Sequence, residues 1–342
     1  MATLMWIVLG LVGLVLVSYL IERLRPSPTP PERLSWAPDI PIQYVEVNGT
    51  RLRYISTGNG PALVLLHPLR TQLDMFQRVV PALSQKFRVY ALDYPGHGYS
   101  DIPQADYSAE FFVTAVAGFL DRLDISDAVV VGESIGGTIA LLLAARHNPH
   151  VKAVIAVNPY DYDRGRGLER SSLLGLPIFR LNGVPVLGGT FQRLRNYPLV
   201  RQVFQGGVVR AGGMPSTLAR EMYRVGNRPG HNRAFMSLIH RWPSWESARQ
   251  EYGSINRPAL LIYGDRDWSR PEEREADRRA LPGGRRASSV ERGALLGAGR
   301  AGGAVEGGVR VYRPVDAGSL TTNASMAKYS ASPSRSSSEA VP

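Results

Sequence analysis

Ala128-Val129-Val130-Val131-Gly132-Glu133-Ser134-Ile135-Gly136, followed by the leucine- and alanine-rich stretch 138–146, decides the architecture. The apolar run reads as a buried strand and the later stretch as a helix. The glycines between them mark a sharp strand-to-helix turn with a serine at its tip. Glycine at 132 and 136 removes Cβ atoms that would clash in such a bend. The turn holds a hydroxyl clear of the chain, beside backbone N–H groups able to hold an oxyanion. Attack on a carbonyl carbon needs both.

Outward from this turn, short apolar runs alternate with helical stretches. Residues 44–47 and 52–55 flank Asn48-Gly49, a hairpin signal. Residues 62–66 and 88–92 are near-continuous apolar runs, as expected of strands covered on both faces. Residues 111–123 carry a helical period, and runs at 153–157 and 259–263 complete the series. The alternation predicts an α/β fold, a mostly parallel central sheet with helices on both faces. From 161 to 257 the pattern turns helical, with 15 arginines against six acidic residues. That stretch reads as a cap inserted over the strands' C-terminal edge, where ligands bind in such sheets. The predicted organisation is an anchor at 1–24, a proline-rich linker at 25–41, a core at 42–160 and 258–293, the cap at 161–257, and a tail at 294–342. The tail has no hydrophobic period and reads as disordered.

The 342-residue chain has no cysteine, which excludes disulfides, thiolate metal sites and cysteine nucleophiles. Its formal charge is +11, carried by arginine; lysine occurs only at 86, 152 and 328. The cap arginines read as solvated helix faces, with a basic face toward anionic lipid or substrate as the sharper alternative. No basic stripe interleaves with aromatics, so nucleic acid is not an expected partner. Residues 4–20 carry no charge, with Trp6 and Tyr19 near the ends and Arg23, Arg25 and Arg33 beyond. Roughly 17–20 such residues can cross a bilayer core. No small-residue cleavage site follows, so an uncleaved transmembrane helix is expected rather than a signal peptide. The positive-inside rule then predicts a single-pass membrane protein with its bulk on the cytoplasmic side.

In order and identity these motifs resemble the α/β-hydrolase superfamily, over residues 42–292. His67-Pro68-Leu69 looks like the family's His-Gly loop, with proline in place of the glycine. Asp93-Tyr94-Pro95-Gly96-His97-Gly98-Tyr99-Ser100 matches its glycine-rich turn, and Tyr263-Gly264-Asp265-Arg266-Asp267 its acid-bearing turn. The resemblance implies Ser134 as nucleophile, Leu69 and Ile135 N–H as the oxyanion hole, and Asp267 as the triad acid, with Asp265 the second choice. A serine in the elbow points away from the branches that attack with a carboxylate. No metal or organic cofactor is implied.

One member is missing. The family's base follows the last strand in a Gly-His-Phe pattern with Pro-Glu soon after, but this chain has no histidine beyond His240. The stretch after Arg292 reads Gly293-Ala294-Leu295-Leu296-Gly297-Ala298-Gly299-Arg300-Ala301-Gly302-Gly303. Read one base out of step, Ala294 into Leu295 permits His, Leu295 into Leu296 permits Phe, Gly299 into Arg300 permits Asp, and 301–303 permit Pro-Glu. A single inserted G after Arg292 accounts for the lost histidine, the turn to Gly and Ala, and the patternless tail. The expected function is therefore a serine hydrolase of the esterase or lipase kind. It would act through an acyl-enzyme on a small, apolar, ester-like substrate, impaired by the absent imidazole. Alternatives are a carbon–carbon bond hydrolase or cofactor-free haloperoxidase, and a non-catalytic binding protein or inactive frameshift product.

Overall fold

A computed structural model describes residues 1–170, 175–184, 186–206, 213–264, 267–282 and 287–290. Asp265, the expected histidine position and the tail 294–342 lie outside the described residues. The elements run α1 (Ala2–Leu24), β1 (Arg33–Leu34), β2 (Ala37–Pro41), β3 (Gln43–Val47), β4 (Thr50–Thr57), β5 (Ala62–Leu66), α2 (Val80–Leu83), β6 (Arg88–Leu92), α3 (Ala109–Arg122), β7 (Ala128–Glu133), α4 (Ile135–Ala145) and β8 (Val151–Val157). Then come α5 (Gly175–Asn182), α6 (Leu187–Arg193), α7 (Tyr197–Gly206), α8 (Ser216–Val225), α9 (His231–His240), α10 (Trp242–Ser247), β9 (Ala259–Gly264), α11 (Pro271–Ala280) and β10 (Ala287–Val290).

Eight strands form one sheet in the order β10-β9-β8-β7-β5-β6-β4-β3. From β10 to β6 every pairing is parallel, while β3 and β4 run antiparallel at the other edge. Successive strand residues point to opposite faces, so each strand feeds two cores. Val64, Leu66, Val130, Val154 and Leu261 face the larger core, under Phe112, Phe119, Ile139 and Leu142 of α3 and α4. Leu63, Leu65 and Val89 face a smaller one with Phe76, Val80 and Leu34, the last from the short β1–β2 pair. This second face is unevenly covered. Val129 and Val131 of β7, Ile155 of β8, and Leu260 and Ile262 of β9 are only half-buried, while their neighbours on the first face are buried.

Between β8 and β9 the described chain is helical throughout, α5 to α10 with 3-10 turns at Asp163–Arg170 and Ala248–Ser254. The expectation that its arginines are solvated fails at several positions. Arg195 is 3% exposed and pairs with Glu22 of α1 at 2.7 Å. Arg228 donates to the carbonyls of Gly98 and Ser100. Arg249 bridges Asp161 (3.4 Å) and Asp277 (2.5 Å), and Arg170 reaches Glu273 and the Trp268 carbonyl. Arginine's planar, five-donor head suits such carbonyl and carboxylate clamps. They stitch the helical layer to the core and to α1.

Candidate active site

Ser134 joins β7 to α4 at φ 56°, ψ −120°, a conformation that costs a non-glycine residue about 1–3 kcal/mol. The surroundings over-determine it. Its N–H donates to the Val157 carbonyl (2.9 Å), and its own carbonyl accepts from Gly137 (2.9 Å) and Tyr160 (3.2 Å). A Cβ on Gly132 would lie 2.0 Å from the Gly136 oxygen, and one on Gly136 2.4 Å from the Leu66 oxygen. Only glycine allows this approach of strand, turn and helix. Ser134 is half-exposed, and among the described residues no group hydrogen-bonds its Oγ.

Ile135 opens α4, so its N–H has no carbonyl one turn earlier to bond and points where a helix favours negative charge. Leu69 lies three residues past β5, whose end the first turn of α4 touches at Leu66. The loop carrying Leu69 is held from below. Tyr94 Oη donates to the His67 carbonyl (3.1 Å), and the Leu73 N–H donates to Asp93 Oδ1 (2.7 Å). Asp93 in turn meets Arg53, fully buried between Asp93 (3.2 Å) and Asp74 (3.0 Å). Arg70, which follows Leu69, has φ 56°, lays its guanidinium on the Phe235 ring at 4.2 Å, and donates to Gln192 of α6 at 3.0 Å. Burial, then the charge of Arg195, lowers its pKa to about 9. These supports were not legible as site residues in sequence, because each pairs with a group 20 to 122 positions away.

Asp267 follows the C-terminal end of β9, and Ser134 follows that of β7, with β8 between them. Two strand spacings put these rim positions about 10 Å apart across the sheet. Tyr160, bonded to the Ser134 carbonyl, stacks edge-on to Tyr162 at 5.9 Å, and the phenol of Tyr162 feels the charge of Asp267. Burial pushes the Asp267 carboxyl from 3.8 up to about 6, against the pull of the Ser269 and Trp268 N–H groups and Arg274. A raised folded-state pKa means that the native chain holds more protons than the unfolded one, so stability falls as pH rises from 3.8 through about 6. Asp267→Asn should therefore stabilise this chain by about 1 kcal/mol at pH 8, discounted for partial exposure, and change nothing below about pH 4. Thermal melts of both chains across that range check it. Equal melting at pH 8 would mean the carboxylate has a strong partner.

None of the six histidines reaches Ser134. His67 is buried with Nδ1 on the Pro68 carbonyl (2.8 Å) and Nε2 accepting from the Tyr94 N–H (3.4 Å), so both nitrogens are used. Burial holds it well below the usual range. His97 stacks near His67 (5.5 Å) and His231 (6.4 Å); burial lowers it to about 4. His147 follows α4, His150 binds the Ile125 carbonyl, and His240 ends α9. Among the described residues no cluster of histidine and carboxylate could hold a metal ion.

Residues 61–283 match the sequence profile of the alpha/beta hydrolase fold, and the chain belongs to that family. It is 30% identical over 229 residues to 2-hydroxymuconate semialdehyde hydrolase of Pseudomonas sp. strain CF600, covering 64% of this chain and 75% of that one. An uncharacterised protein of Mycobacterium tuberculosis is 31% identical over 164 residues, 48% of this chain but only 45% of its own length. The chain thus spans about half the length of the first curated relatives it matches. Among solved structures, the enol-lactonase of Burkholderia xenovorans LB400 superposes with TM-score 0.58 at 27% identity, over 74% of this chain and 93% of that one. A membrane phospholipase A superposes with TM-score 0.61 at 23% identity, over 85% and 88%. The family and its hydrolase relatives support hydrolase activity.

Proposed function

We propose that the chain is built for serine-dependent hydrolysis of a small, apolar, ester-like substrate, with its triad incomplete. The strained Ser134 elbow carries this reading. Ser134 Oγ attacks the carbonyl carbon, and the electron pair moves to the carbonyl oxygen, held by the Leu69 and Ile135 N–H groups. Solvent takes the Ser134 hydroxyl proton and returns one to the alkoxide that collapse expels; water then attacks the acyl carbon, breaking its bond to Oγ and leaving the free acid. Asp267 would orient and charge-stabilise an imidazole. In a comparable serine hydrolase, losing that base costs about 10⁶ in turnover, leaving roughly 10³-fold from the oxyanion hole and binding. The same serine machinery would serve a carbon–carbon bond hydrolase, a second reading favoured by the 2-hydroxymuconate semialdehyde hydrolase relative. The core at 42–160 and 258–293, the cap at 161–257, and α1 as a membrane anchor with the body on the cytoplasmic side belong to the same proposal.

A fluorophosphonate probe tests it on the full chain. Labelling should be slow, should reach completion on long incubation, and should vanish in Ser134→Ala. Labelling that survives Ser134→Ala, or none from the chain as it stands, removes Ser134 as a presented nucleophile. Among labelled chains, turnover of a p-nitrophenyl ester but not a vinylogous diketone favours the ester reading.

A further inference from the structure

Helix α1 spans 23 residues, about 34 Å at the helical rise, and its apolar stretch is otherwise exposed. Its last two turns are not free. Ser18 is buried and accepts from Arg193 Nε at 3.0 Å, and the Arg193 guanidinium lies 3.8 Å over the Tyr19 ring. Glu22 pairs with Arg195, and Arg25 donates to the carbonyls of Arg193 (2.7 Å) and Arg195 (2.6 Å). So α6 and the residues after it are clamped to α1 where its apolar stretch gives way to charge. In a bilayer that level is the boundary between acyl chains and headgroups.

A second observation falls at the same place. Outside α1, the exposed large hydrophobic side chains among the described residues are Leu181, Val184, Val186 and Leu187. They lie where α5 leads into α6, and Val186 is 63% exposed. Leu187 opens the helix that ends at Arg193, only about 9 Å along its axis. Apolar side chains thus flank a cluster of arginines beside the end of an apolar helix. That is the composition of a surface lying in the interface, with acyl chains on one side and phosphates on the other.

We propose that Leu181, Val184, Val186 and α6 rest in the phospholipid interface of the bilayer that holds α1, so that the cap faces lipid. The proposal rests on reading α1 as a membrane anchor. The same helix touches the chemistry, since Gln192 accepts the hydrogen bond from Arg70, next to Leu69. An apolar substrate dissolved in the bilayer would therefore meet the cap before it meets water.

The chain has no cysteine, so one introduced thiol labels a single site. The full chain is placed in phosphatidylcholine nanodiscs with an environment-sensitive fluorophore on Val186→Cys, Val12→Cys or Ser126→Cys. The last is exposed just before β7, at the end of the sheet away from the cap. Lipids spin-labelled high on the acyl chain should remove most of the emission at 186, lipids labelled near the chain's end most of that at 12, and neither any at 126. Quenching at 12 but not at 186 overturns the proposal and leaves the anchor standing. Blue-shifted emission at 186 without quenching marks a protein contact and also overturns it. Loss of quenching at 12 as well overturns both readings.

Discussion

Replacing the residues after Arg292 with those of the second reading frame, beginning with Ala294→His and Leu295→Phe, should raise turnover of an apolar ester by about 10⁴ to 10⁶. It should also raise the melting temperature. The two effects have separate physical origins. The rate gain comes from the imidazole. β10 ends at the edge of the sheet beside β9, the strand before Asp267, and Ser134 lies two strands further in. A base there has its orienting carboxylate nearby and a serine Oγ that no described group occupies. The stability gain comes from the second face of the sheet. Val129, Val131, Ile155, Leu260 and Ile262 are half-buried in the middle of a sheet whose other face is closed. A terminal amphipathic helix would complete their burial, each contributing about 1 kcal/mol before the entropy of ordering that helix. Ala294→His alone should give much less, because the residues that position the loop would still be wrong. A full replacement that leaves turnover unchanged defeats the frameshift account and the role given to Asp267. Unchanged melting with faster turnover defeats only the missing-helix part.

The sheet and the elbow were readable because their signals are local. Four apolar residues before Gly132 and an alanine-leucine helix after Gly136 fix strand, turn and helix without reference to the rest of the chain. The runs at 62–66 and 259–263 fall within a residue of β5 and β9 for the same reason. The stretch between β8 and β9 was legible only as helical. Its arginines gave no sign that Arg195, Arg228 and Arg249 are clamps, since their partners lie 173, 130 and 88 positions away and one is in α1. β10 was not anticipated as a strand, because Ala-Ser-Ser-Val carries too weak a β pattern and gains its pairing from β9. The half-covered second face is invisible in sequence. Val129 and Val131 look identical to the buried Val130, and only how fully each face of the sheet is covered separates them.

Asp93→Ala should destabilise the protein by about 3–5 kcal/mol and loosen the loop that carries Leu69. Arg53 has no exposed surface, and its burial works against its charge; Asp93 and Asp74 outweigh that cost. Asp93 also accepts the N–H groups of Leu73 (2.7 Å) and Tyr99 (2.9 Å), so its removal leaves the guanidinium with Asp74 alone and strands two backbone donors. The turn after β6 is packed closely around that carboxylate. Gly98 sits at φ +50°, and a Cβ there would lie 1.9 Å from the Asp93 carboxylate. Asp74 cannot turn to help, because its oxygens already take Trp36 Nε1 (2.9 Å) and Gln72 Nε2 (2.7 Å) as well as Arg53. Arg53→Met alone should cost nearly as much, since burial then presses on Asp93 with the cation paired to it gone. The double variant Arg53→Met with Asp93→Ala should cost clearly less than the two singles added, by at least about 1 kcal/mol, as expected when one buried pair is removed whole. Urea unfolding of the parent chain and the three variants in detergent gives the cycle. Additive losses would mean the pair acts as two independent hydrogen-bonding groups, and would take away the link from Arg53 through Asp93 and Leu73 to the loop that carries Leu69.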